Sequence, residues 1–125
     1  MEIKLSEADI KSAIYDYLLV KENQGEVAWF ERLQAGEIIE VRGGESRRRV
    51  KLCRPGTPDF IIVLPQLPNT ILPNTIFLEV KTVTGKLTPT QKDFQVRMRE
   101  KGVTYHIVRS LEELVAIFWE WGLIY

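Results

Sequence analysis

Apolar side chains recur three and four residues apart near the start of the chain, at Ile10, Ala13, Ile14, Tyr17 and Leu18. Ser6, with Asp9 three residues later, has the form of a helix N-cap, and Asn23-Gln24-Gly25 supplies a stop. The pattern predicts one amphipathic helix between them. The period then shortens. Val27 to Leu33 and Ile38 to Val41 read as short strands around Ala35-Gly36, and Gly43-Gly44 marks a turn. Arg48, Val50 and Leu52 alternate with Arg49, Lys51 and Cys53, which predicts a strand with Val50 and Leu52 inward. After the rigid break Pro55-Gly56-Thr57-Pro58, Phe60 to Leu64 is a continuous apolar run of the kind found in central strands.

A Pro/Asn-rich stretch follows, with the small repeat Pro68-Asn69-Thr70-Ile71 and Pro73-Asn74-Thr75-Ile76, read as a local duplication lengthening a hairpin loop. Its spacing is too short for a repeat fold. Ile76 to Lys81 is the next strand. Thr88-Pro89-Thr90-Gln91 opens a second helix: Thr88 caps, Pro89 suits the first helical position and Gln91 completes a capping box. Phe94, Met98 and Lys101 continue one face of it, and Gly102 stops it. Val103 to Val108 is a strand, and Ser110 with Glu113 caps a last helix reaching Trp121. The order is helix, strands, helix, strand, helix, which predicts an α/β sandwich around one mixed sheet. No linker interrupts it, so residues 1–125 are expected to form one domain, a size that buries a core unaided.

Composition narrows the class. Seventeen basic residues balance 17 acidic ones, which weighs against a generic nucleic-acid binder, although the charges are unevenly placed. A single cysteine, Cys53, excludes an intrachain disulfide, and no Cys/His spacing suits zinc; a reducing cytoplasm is the expected setting. Met1 to Asp9 lacks the basic start and apolar run of a signal peptide. No stretch approaches the roughly 20 apolar residues of a membrane span, so no membrane partner is expected.

The chemistry concentrates at three positions. Asp59 sits between a Pro-flanked turn and an apolar strand. Glu79 and Lys81 lie two apart within another strand and so share one face, with Val80 pointing the other way. Burying an acid and a lysine there is costly without compensation. A divalent cation held by Asp59 and Glu79 would compensate, and hard carboxylate oxygens suit Mg²⁺. Such a site fits phosphodiester hydrolysis, with Lys81 orienting or deprotonating the attacking water or touching the phosphate. At about 100° per residue, Glu7 falls on the apolar stripe of the first helix, and Gln91 lies near the Phe94/Met98 stripe of the second.

Each of these residues also has a plain structural reading. Asp59 suits a turn after proline. Glu79 and Lys81 suit a solvated strand face with a cross-strand salt bridge. The capping box accounts for Gln91, and the helix dipole for Glu7. Arg42, Arg47, Arg48, Arg49, Lys51 and Arg54 form one basic cluster. Such runs are usually solvated loops, but this one precedes the Asp59 turn, which favours phosphate contact. His106 is expected to be packed or exposed rather than catalytic. Cys53 is assigned no chemistry, and Trp29, Trp119 and Trp121 are read as core or interface residues.

Taken in order, Gly56-x-Pro58-Asp59, Glu79-x-Lys81 and Gly85-Lys86-Leu87-Thr88-Pro89-x-Gln91 resemble the PD-(D/E)xK nuclease superfamily. More narrowly, they resemble the virus-type replication-repair nuclease (VRR-Nuc) domain, from Ser6-Glu7 to the final helix. The resemblance implies a restriction-endonuclease-like αβββαβ core and a deoxyribonuclease using Mg²⁺ or Mn²⁺. Asp59, Glu79, Glu7 and the Val80 carbonyl would be metal ligands. Lys81 would be catalytic, with Gln91 and Glu7 beside it. Apart from the resemblance, DNA contacts are expected from Arg47, Arg48, Arg49 and Lys51 of the basic cluster and from Lys86. Stand-alone members of the family resemble Holliday-junction resolvases and act as homodimers, so branched or junction DNA, a second copy and a bacterial or phage-encoded cytoplasmic protein are the implied context. The Pro/Asn loop departs from the family pattern. A non-catalytic DNA-binding module, a monomeric flap-type nuclease and a nuclease acting on RNA remain as alternatives.

Overall fold

The computed structural model describes residues 4–44, 46–66 and 73–122. Helix α1 (Glu7–Asn23) leads into β1 (Trp29–Arg32), β2 (Glu37–Arg42), β3 (Ser46–Lys51), β4 (Phe60–Val63) and β5 (Thr75–Val80). Helix α2 (Pro89–Glu100), β6 (Thr104–Val108) and α3 (Leu111–Glu120) complete the chain. The main sheet has the order β1-β4-β5-β6. Its first two pairings are antiparallel and β5–β6 is parallel. A parallel pair needs a crossover, and α2 supplies it. The αβββαβ core is therefore present as α1, β1, β4, β5, α2 and β6, with α3 added.

The predicted caps form. Ser6 accepts from the Asp9 N–H while the Asp9 carboxylate accepts from the Ser6 N–H, and Thr88 and Gln91 do the same for α2. Ser110 accepts from the Glu113 N–H; the Glu113 carboxylate reaches past it to the Arg109 N–H.

Period-two alternation divides the sheet into two faces. Phe60, Ile62, Ile76, Leu78, Val80 and Val108 join Ile10, Ile14 and Leu18 of α1 and Leu114 and Phe118 of α3 in one buried cluster. Each such side chain contributes roughly 1.5–3 kcal/mol by leaving water. The other face is covered by α2, which buries no residue completely. It rests on Phe94, edge-on to Phe77 at 5.2 Å and tilted on Tyr105 at 5.9 Å. Glu79 therefore lies on the lightly covered face, opposite Val80, as the alternation predicts.

The expectation of a single sheet needs one refinement. β2 and β3 form their own two-stranded sheet, paired from Glu37↔Lys51 to Arg42↔Ser46. It joins the body at its base, through an Ala35↔Cys53 bridge and the Cys53 N–H donating to Gln34 at 2.9 Å. Val50 and Leu52 are only half-buried, and Ile38 and Ile39 are exposed. Alternation set the strand correctly, but among the described residues no third layer covers this hairpin. Its turn uses Gly43 and Gly44 at φ 58° and 74°, where other side chains are strained. Of the Pro/Asn repeat, residues 67–72 lie outside the described residues.

Candidate active site

The site lies at one end of the main sheet, where β4 begins and β5 ends. Asp59 is held from two directions. Its carbonyl accepts from the Leu33 N–H at 2.7 Å, starting the β1–β4 ladder, and its Oδ2 accepts from the Val80 N–H at 2.7 Å. The carboxylate thus takes the place of a β4 residue beside the end of β5. In an extended strand the N–H and C=O of one residue point to the same edge, so the Val80 carbonyl lies on the Asp59 side of β5. The preceding turn is fixed by Gly56. Its φ of 88° favours glycine, and a Cβ there would come within 2.5 Å of the Thr90 carbonyl oxygen in the first turn of α2. That close approach brings the start of α2 up to the Asp59 turn.

Glu79 is 1% exposed. Its Oε1 accepts from Gln91 Nε2 at 3.1 Å and lies 3.9 Å from Lys81 Nζ. Gln91 is shared between two tasks: its amide oxygen accepts from the Thr88 N–H at 2.9 Å while its nitrogen faces Glu79. The cap and the site thus use opposite ends of one amide. Glu79 Oε2 is buried with no hydrogen-bond partner. Burial pushes the Glu79 carboxyl up to about 8, the neighbouring Asp59 adds to this, and Lys81 and Lys11 oppose it. Lys81 is itself buried, and its backbone N–H donates to Val108.

Sequence reasoning passed over Lys11. Its ammonium lies 2.9 Å from Asp59 Oδ1 and 3.0 Å from Glu7 Oε1. Burial works against its charge, but the contacts with Asp59 and Glu7 prevail and hold it above its ordinary value. The available signal was its place one turn after Glu7, on the side of α1 that Glu7 occupies. Glu7 differs from its expected setting. Its side chain is 40% exposed, at the rim of the site rather than within the core, because it precedes the turn of α1 that Ile10 anchors. Arg109 was also missed. Its Nη1 donates to the carbonyls of Thr82 at 2.5 Å and Gly85 at 2.7 Å, clamping the loop that follows Lys81.

Glu7, Lys11, Asp59, Glu79 and Gln91 line one open cleft of about 220 Å³, which Arg32 and the base of the hairpin also border. Arg47, Arg48, Arg49 and Lys51 are exposed on the hairpin, and Lys86 is exposed in the clamped loop. His106 is half-buried, packed on Trp121 at 5.8 Å, and burial lowers its basicity. Trp29 and Trp119 are surface residues rather than core.

Among the described residues no group of three or more His, Cys, Asp and Glu side chains is gathered closely enough to hold a metal ion. The Lys11 ammonium stands between Glu7 and Asp59. The remaining donors do fit a hard cation: two carboxylates, one of which has a buried oxygen with no other partner, and a carbonyl on the same side.

In comparison with known protein families, the VRR-NUC domain matches residues 6–112. The chain belongs to the VRR-NUC domain family. The match runs from the N-cap of α1 into α3 and includes every residue of the cleft. No curated protein and no solved structure matches the chain.

Proposed function

We propose that this VRR-NUC chain is a Mg²⁺- or Mn²⁺-dependent deoxyribonuclease that hydrolyses phosphodiester bonds in branched DNA, in the manner of a junction resolvase. The observation that carries the reading is the buried Glu79 carboxyl group, with one oxygen unpartnered, beside Asp59 in an open cleft, and with Lys81 Nζ 3.9 Å from its other oxygen. Asp59, Glu79 and the Val80 carbonyl would hold the cation, with Glu7 as a further ligand once free of Lys11. When bound, the cation supplies charge neutralisation at the phosphate and a more acidic water.

The chain's own residues do the rest. Gln91 fixes the Glu79 carboxylate through one oxygen and leaves the other for the cation. The Val80 N–H fixes Asp59 through Oδ2, and Oδ1 would meet the cation once Lys11 has left it. Lys81, beside Glu79, orients the attacking water, takes its proton or contacts the phosphate. Lys86 and the hairpin residues Arg47, Arg48, Arg49 and Lys51 are exposed cations that would bind phosphates flanking the cut. Cleavage of branched DNA at symmetric positions calls for two matched sites, so a homodimer is part of this reading. So is a cytoplasmic location, where Cys53 stays a thiol. No helix among the described residues is long and apolar enough to cross a membrane.

Labelled flap, fork, four-way-junction and linear DNAs, incubated with Mg²⁺, Mn²⁺ or EDTA, test the reading. Cation-dependent cutting of a branched substrate is expected. Asp59→Asn should abolish it while keeping the fold and much of the DNA affinity. Binding without cutting by the unaltered protein would instead mark a DNA-binding module, and substantial cleavage by Asp59→Asn would overturn the site.

A further inference from the structure

The two oxygens of Asp59 are both occupied. Oδ2 takes the Val80 N–H and Oδ1 takes the Lys11 ammonium. The first bond belongs to the strand frame and stays. The second is made by a flexible side chain from α1, which also grips Glu7 Oε1. A divalent cation approaching Asp59 meets Oδ1, the oxygen that Lys11 holds. Two cations on one carboxylate oxygen repel strongly in a partly buried setting. They cannot share it on equal terms.

We propose that Lys11 is a built-in counter-ion that guards the metal-free site and must be displaced for a divalent cation to bind. This rests on the metal-dependent reading of the cleft. Without metal, Lys11 neutralises Asp59 and Glu7 and limits the repulsion between them. On metal binding its ammonium leaves and releases Glu7. The exchange has an exit, because the cleft is open and Glu7 lies at its rim. The cost is weaker metal binding: part of the cation's attraction to the site is spent on removing Lys11. The protein then requires a higher free cation concentration than its carboxylates alone would demand.

Metal affinity, read without turnover, tests this. Mn²⁺ binding is followed by loss of the free-ion electron paramagnetic resonance signal, for the unaltered protein and for Lys11→Met, which keeps the apolar stem. Removing the competing charge should tighten binding by roughly tenfold, within the range usual for coupled sites. Lys11→Gln guards against a folding defect in Lys11→Met and should also tighten it. A second readout uses the unaltered protein: the Lys11 ammonium signal in nitrogen-15 NMR, assigned by its disappearance in Lys11→Met. It should be protected from solvent exchange in EDTA and lose that protection on Mg²⁺ addition. Equal or weaker Mn²⁺ binding by both variants, or a Lys11 signal that stays protected in saturating Mg²⁺, overturns the proposal and leaves the metal site standing. Failure of the unaltered protein and both variants to bind Mn²⁺ overturns the metal site and this proposal together.

Discussion

Glu79 shows how one buried acid links stability to chemistry. Its carboxyl is raised from an ordinary 4.5 to about 8, first by burial and then by Asp59. The folded state therefore binds a proton that the unfolded state has already released across that interval. The sign follows: the protonated folded form is favoured, its contribution is fully present below about 4.5, and it is lost as pH rises through about 8. In EDTA, the denaturant midpoint should fall as pH rises from about 5.5 to about 8, and Glu79→Gln should flatten that fall because its amide carries no titrating proton. A variant with the unaltered slope would assign the pH dependence to another group. Lys81 lies 3.9 Å from the same carboxylate. Under the proposed function, Lys81→Ala should remove turnover yet leave cation binding largely intact. Lys81→Arg separates the two remaining roles, since a guanidinium cannot accept the proton. A near-normal rate in single-turnover cleavage by Lys81→Arg would restrict the residue to supplying charge.

At the scale of elements, the site depends on how the ends of strands and helices meet. Three different elements bring Asp59, Glu79 and Gln91 together, and Gly56 permits the close contact between the Asp59 turn and α2. The hairpin β2–β3 is the opposite case. It stands apart from the main sheet, and Arg47, Arg48 and Arg49 are exposed along β3. Arg49 is drawn only loosely to Glu37, at 3.5 Å on an exposed surface where such pairs are weak. These guanidinium groups are therefore available to phosphates. Replacing all three with Ala should weaken DNA binding and flatten its dependence on salt. The slope of log affinity against log salt should shrink by roughly 0.9 for each phosphate that is no longer neutralised. Fluorescence anisotropy across a salt series measures this, and an unchanged slope would show that the hairpin faces away from DNA.

For the whole molecule, the proposed dimer is the property most distant from any single residue. α3 buries Leu114 and Phe118 but exposes Trp119, 66% accessible, so its outer side is not fully used by the monomer core. Light scattering at micromolar concentration should give about twice the 14.5 kDa of one chain. A monomer mass that persists with junction DNA would favour a flap-type nuclease. The element order, the caps of all three helices and the opposite facing of Val80 and Glu79 are legible along the chain, because they depend on local spacing and on hydrogen bonds that span three residues. The sequence also carried the motif order by which Asp59, Glu79, Lys81 and Gln91 could be proposed together. That β2 and β3 leave the main sheet emerges from the folded chain alone, since alternation reveals a strand's two faces but not whether anything covers them. The fold alone placed Glu7 at the rim and Lys11 on Asp59, and it alone brought Arg109 to the loop after Lys81. The Lys11–Asp59 contact and the Arg109 clamp join residues at least 24 positions apart. No local periodicity encodes such pairs; they form when packing of the shared core brings separate elements to the same end of the sheet.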